Sequence, residues 1–234
     1  MKKRMLFLAI TSVAGLLLAA DSTPKDDALA AAKKLGDSAS YSWKTTVAVP
    51  DSARFKPGPT DGKTEKGGFT DVKMTFGDNT MEIVTKGDKA VFMNQDGEWQ
   101  TPAEAENDQG FGRFISRMVR DFKAPAAQAE ELANGAKELK KDGDVISGDL
   151  TEDAAKSLMS FRRRGGNGPE ISNPKGSVKF WTKDGVLSKY EFSVKGSMDF
   201  NGNTVDMDRT TTVEIKDVGS TKVEVPDAAK KKIS

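Results

Sequence analysis

A chain of 234 residues with neither cysteine nor histidine has no means of forming disulfides, thiol nucleophiles, thiolate metal sites or imidazole general bases. Its 36 basic and 35 acidic residues nearly balance, which argues against a nucleic-acid module, and 30% charged with 7% aromatic residues describe a soluble globular chain with a modest core. Catalysis is left only carboxylates or a Ser-Lys arrangement, so an enzyme is not expected.

The N-terminus reads as a secretory signal over residues 1–20. Lys2, Lys3 and Arg4 form a basic start, Met5 to Leu18 is apolar apart from Thr11, Ser12 and Gly15, and Ala19-Ala20 offers a small-residue cleavage site. The run is too short to span a membrane stably. Leu18-Ala19-Ala20 also suits the segment before a lipidated cysteine, but Asp21 stands where that cysteine would be, so thioether lipidation is excluded. The expectation is a periplasmic or secreted protein without a transmembrane span after cleavage. The signal takes three of the 36 basic residues and none of the acidic ones, which leaves a net charge of about −2 on one domain over residues 21–234.

Thr23-Pro24-Lys25-Asp26-Asp27 predicts a helix start, with a hydroxyl cap, proline in the first turn and acids against the dipole; Gly36 closes the helix. Tyr41 to Val49 alternates as a strand with Tyr41, Trp43, Thr45, Val47 and Val49 on one face. Pro50 to Gly68, with three prolines and four glycines, reads as a loop. An antiparallel meander follows from Phe69, with turns at Gly77-Asp78-Asn79, Lys86-Gly87-Asp88 and Asp96-Gly97 leading into Trp99. Phe111, Phe114, Ile115, Met118, Val119 and Phe122 form one apolar helical stripe, and Pro125 opens a second helix that ends near Asn134-Gly135. A hairpin over Ala136–Lys140 and Val145–Asp149 and a helix from Thr151 through Phe161 come next. Beyond the Arg162–Pro169 loop, strands are predicted at Ser177–Thr182, Val186–Lys195, one ending near Ile215, and Thr221–Val225, before a short helical tail from Asp227. This order predicts an α+β fold, with helices gathered on one face of a large antiparallel sheet.

The N-terminal helix leading into YSWKTTV, the hairpin MEIVTKGDKAVFMNQDGEWQ, the segment GSVKFWTKDGVLSKYEF and the close TTTVEIKDVGSTKVEVPDAAKKKI resemble the LolA/LolB and LppX superfamily of envelope lipoprotein and lipid carriers. The resemblance implies a curved, unclosed antiparallel half-barrel with helices packed on its concave face. It also implies a concavity that takes lipid, an acyl chain or a lipoprotein's acyl anchor.

A groove for acyl chains needs aromatics and flexible methionines with few polar groups to satisfy. Trp43, Phe111, Phe114, Met118, Phe122, Phe180 and Trp181 are the candidates; the competing reading is that they pack as a closed core. Arg162, Arg163 and Arg164 offer guanidinium groups to an anionic headgroup or an envelope protein partner, against the plainer reading of a solvated loop. Asp142-Gly-Asp144 and Asp206-Met-Asp208 lack the remainder of a calcium loop, and Gly165–Gly168 lacks the Lys-Ser/Thr of a phosphate loop, so neither a metal nor a cofactor is expected. The expected protein is a monomeric, non-catalytic binder of a hydrophobic ligand, or else an envelope interaction module with a filled concavity.

Overall fold

The computed structural model describes residues 22–53, 56–77, 79–107, 111–160, 169–200 and 202–233. Residues 1–20, read above as a secretory signal, and Arg162, Arg163 and Arg164 lie outside the described residues.

Helix α1 (Pro24–Asp37) starts as its sequence dictates. Thr23 Oγ1 accepts the Asp26 N–H while Asp26 Oδ2 accepts the Thr23 N–H, each at 3.2 Å, so two orphan donors are satisfied reciprocally. Eleven strands then form one antiparallel sheet: β1 (Ser40–Ala48), β2 (Thr60–Glu65), β3 (Thr70–Phe76), β4 (Asn79–Lys86), β5 (Lys89–Met93), β6 (Trp99–Gln100), β7 (Lys140–Asp142), β8 (Val145–Asp149), β9 (Glu170–Lys183), β10 (Val186–Phe200) and β11 (Asn203–Lys216). Their spatial order is β6-β5-β4-β3-β2-β1-β11-β10-β9-β8-β7, so the two end strands do not meet and the half-barrel stays open. The seam between β1 and β11 joins the two ends of the chain, with Trp43 opposite Ile215 and Thr45 opposite Val213.

Four helices cover one face: α1, α2 (Phe111–Asp121), α3 (Pro125–Gly135) and α4 (Glu152–Met159). Ala28, Ala31, Ala32 and Leu35 of α1 and Ala126, Ala129, Leu132 and Ala133 of α3 are buried in one cluster with Tyr41, Trp43, Phe180, Tyr190 and Val213 of the sheet. Small residues on both helices let their backbones lie close against each other and the sheet.

Three expectations are corrected. The first is the loop at Pro50–Gly68, which contains β2. Its sequence, TDGKTE, carries no apolar signal, because its central inward position is Gly62, which lies beneath the Trp43 ring in register. A Cβ there would fall 2.1 Å from Trp43 Cζ2, so the ring itself supplies the side chain this strand lacks. Pairing with β1 on one side and β3 on the other sets the strand, not propensity.

The second correction concerns Thr221–Val225, which alternates like a strand but pairs with none. The Val223 N–H donates instead to the Glu65 carboxylate at 2.9 Å. The third is that not all helices share one face. Val84, Val91 and Trp99 point away from Ile83 and Phe92, and α5 (Asp227–Ile233) covers them through Ala229 and Ile233, together with Val225 just before the helix. Lys232 ties this helix at 2.7 Å to Glu104, in the 3-10 turn Glu104–Asn107, and Arg120 of α2 pairs with Glu106 of the same turn. Element limits also shift: β9 begins at Glu170, and the first arm of the 136–149 hairpin is confined to Lys140–Asp142, with a single bridge between Ala136 and Leu150.

Candidate functional site

The inner face has two halves with different fates. At the end where β1 begins, beside the β2–β3 and β4–β5 turns, it is closed. Trp43 is buried, stacked on Phe122 at 6.5 Å between centroids and 5.8 Å from Tyr41. Above them the Ala126 N–H reaches the Tyr41 hydroxyl at 3.5 Å, and the Tyr190 hydroxyl donates to Gln128 Oε1 at 2.7 Å, which fixes the start of α3 over the sheet. Burial pushes Tyr41 up to about 12 and raises Tyr190 well above the ordinary phenol range.

At the opposite end the same strands are only partly covered. Along β1 the inward series passes from buried Tyr41 and Trp43 to half-buried Thr45 and Val47. Along β3 it passes from buried Val72 to half-buried Met74 and Phe76, and along β11 from buried Val213 and Thr211 to half-buried Arg209 and Met207 and to exposed Val205. On helix α2, Met118 is half-buried against the same core cluster and Phe114 is 45% exposed. Helix α4 borders the strip, seated on β9 and β10 by Met159, Val194 and Met198. Gly196 permits that approach, since a Cβ there would meet Met159 Cε at 2.7 Å. The result is a partly covered, largely apolar strip of the inner face, a shallow trough beside α4 floored by valine, methionine, threonine and phenylalanine.

Among the described residues a cation, Arg209, stands in the trough. Arg209 is the inward residue opposite Val194, and its Nη2 donates to the Leu158 carbonyl in the last turn of α4 at 2.6 Å. Its Nε is buried without a hydrogen-bond partner, and burial lowers the guanidinium pKa. No carboxylate of a described residue forms an ion pair with it, whereas neighbouring Asp208, on the outer face, pairs with Lys195 at 2.9 Å.

Two clefts open at the closed end, of about 510 and 680 Å³, sharing Thr85, Gly87 and Phe122 in their walls. Tyr41, Glu65, Lys66 and Glu130 line the first, and Pro102, Arg120 and Lys232 the second. Both have charged rims.

The sequence-predicted residues therefore separate. Trp43 and Phe180 are core. Phe122 and Met118 are half-buried against that core, and Phe114 stands exposed on α2. Phe111 starts α2, and its side chain lies outside what is described. Trp181 does not belong with them. Strand alternation turns it away from Phe180 to the outer face, where Lys189 Nζ sits 4.3 Å from its ring. Sequence reasoning missed Val47, Met74, Phe76 and Arg209. The signal available for the last was a lone arginine in register with inward-facing Thr211, Val213 and Ile215.

No protein-family model matches the sequence, and no curated protein matches it at a significant level. Among solved structures the chain is similar to LprF from Mycobacterium bovis, at 11% identity over 88% of this chain and 97% of that one, with a TM-score of 0.43. It is similar to the lipoprotein LppX from Mycobacterium tuberculosis, at 13% identity over 85% and 98%, with a TM-score of 0.42. A DUF1329 family protein from Desulfovibrio piger is similar at 9% identity over 88% and 94%, with a TM-score of 0.33.

Proposed function

We propose that this protein is an exported, non-catalytic carrier that holds the hydrocarbon part of a lipid, acyl chain or acyl anchor in the trough beside α4. The observation that carries the reading is the partly covered inner face, which presents Met74, Phe76, Val47 and Met118 half-buried and Phe114 at 45% exposure. Apolar side chains left open on a concave face gain when hydrocarbon covers them, by roughly 0.8 kcal/mol per methylene removed from water. Thioether and flexible phenyl groups adapt to chains of variable shape. The basic and apolar run at residues 2–18 supports export, and the absence of cysteine and histidine from the sequence supports binding over chemistry.

The test is titration with a fluorescent acyl probe, reading affinity and stoichiometry, on the wild type and on Phe114→Glu. Phe114 is exposed, so the charge is tolerated and the melting temperature should stay within about 2 °C, while probe affinity should fall at least tenfold. Absence of saturable binding in the wild type contradicts the carrier reading. A second reading, an interaction module with a filled concavity, is favoured by the complete burial of Phe180 and the near-complete burial of Trp43 under the protein's own helices. It predicts no saturable probe binding at all.

A further inference from the structure

We propose that Arg209 anchors the anionic headgroup of the ligand, so that the cargo is an acidic amphiphile with a carboxylate or phosphate at the α4 end of the trough and its chain lying along the apolar floor. The inference rests on the carrier reading and adds a ligand class to it.

A guanidinium stays charged even when its pKa is lowered by burial, and it presents five N–H donors. Among the described residues Arg209 has one acceptor, the Leu158 carbonyl at 2.6 Å, its buried Nε has no hydrogen-bond partner, and no carboxylate forms an ion pair with it. The apolar residues beside it, Val194, Met207 and Met159, have no side-chain acceptor beyond thioether sulfur. Desolvating a charge without a counter-ion is costly, and an unpaired donor beside it adds to that cost. The Leu158 carbonyl belongs to the negative end of α4 and offsets part of this charge, but one acceptor does not fill the fork. Nε is buried, so a ligand reaches it only where the side chains over it turn aside, and an oxyanion with two oxygens then completes the fork in the bidentate geometry that arginine favours. The arginine stands on the same face as the half-buried Met207 and Val47 and within the partly open end of the trough. A single ligand therefore satisfies both features: its acid group completes the fork and its chain covers the apolar floor. Fatty acids and anionic phospholipids share this chemistry.

The test compares 11-(dansylamino)undecanoic acid with its methyl ester, which keeps the chain and removes the charge. Wild-type protein should bind the acid at one per chain and at least tenfold more tightly than the ester. Arg209→Gln should bind the ester as the wild type does while losing most of the preference for the acid, and Arg209→Lys should retain part of it. A wild-type acid-to-ester ratio near one overturns the proposal, and this reading does not depend on any variant folding. Saturable binding of both probes with that ratio overturns only the role of Arg209; binding of neither overturns the carrier reading beneath it. If Arg209 served only to close the end of α4, the Gln variant would melt earlier with its acid preference intact, and that result too overturns the proposal. Displacement of the acid probe by palmitate assigns the carboxylate source and displacement by lysophosphatidylglycerol the phosphate source. Displacement by neutral monoolein alone contradicts the assignment.

Discussion

The contact between Gly62 and Trp43 is the most specific demand that the fold makes on its sequence. A Cβ on residue 62 would lie 2.1, 2.2 and 2.6 Å from Trp43 Cζ2, Cε2 and Cη2, where ordinary carbon contacts are about 3.5–4.0 Å. In Gly62→Ala the indole must move by more than an ångström. It has little room, being 4% exposed, stacked on Phe122 at 6.5 Å and 5.8 Å from Tyr41. Overpacking a core costs about 1–3 kcal/mol, and losing a favourable aromatic pair adds about 0.5–1.5. The strand entropy recovered by replacing glycine returns about 0.5–1. The net expectation is a loss of about 0.5–4 kcal/mol, centred near 2, which for a domain of this size lowers the melting temperature by roughly 1–16 °C. Urea unfolding followed by far-ultraviolet circular dichroism measures it. In a Trp43→Leu background the clash is gone, so the same Gly62→Ala change should cost less than about 0.5 kcal/mol. An equal loss in both backgrounds, or none in the wild type, would refute the claim that the tryptophan ring holds β2 in the sheet.

Three further predictions follow from buried groups. Asp71 is buried with Oδ1 unpartnered; burial, then repulsion from Glu82, push its carboxyl up to about 6. The folded state thus holds this proton more tightly than the unfolded chain, so stability present near pH 4 is lost as pH rises through about 6. Asp71→Asn should be more stable than the wild type at pH 7 by about 1–2 kcal/mol and should flatten the stability profile between pH 4 and 6; a profile identical to the wild type's would count against it. The two tyrosines of the chain are both buried and both raised, so native protein at pH 10.5 should show almost no tyrosinate absorption at 295 nm, whereas urea-unfolded protein should show most of it. Half-ionisation near pH 10 in the native state would contradict their placement. Ala229→Glu puts a charge against Val84, Val91 and Trp99 and should detach α5, costing about 2–4 kcal/mol and shifting Trp99 emission to longer wavelength; an unshifted spectrum would mean that α5 does not cover that face.

Much of this architecture is legible in the sequence because local signals agree with tertiary ones. The Thr23-Pro24 cap, the glycine turns at 77, 87 and 97, and Ile115 and Val119 of the α2 stripe lie where the structure uses them. What fails is local in pattern but decided at a distance. TDGKTE becomes β2 because Trp43 covers its glycine, and Thr221–Val225 stays unpaired because Glu65 takes its amide. The tail's apolar residues read simply as a helix, with nothing to say which face of the sheet they meet. The candidate site was half visible for the same reason. Alternation identifies Trp43 and Phe180 as inward but not whether helices then cover them, and Trp181 was grouped with Phe180 despite opposite parity. Arg209 is one more polar strand residue in sequence, because its significance lies in the lack of an ion-pairing carboxylate among the described residues.

The central claim is that the uncovered half of the inner face carries a ligand. Native mass spectrometry of protein purified from its own envelope, followed by organic extraction, tests it most directly. The account predicts one acidic, acyl-bearing molecule per chain, lost in Phe114→Glu. A clean mass of the chain alone, with no uptake from added anionic vesicles, would contradict it.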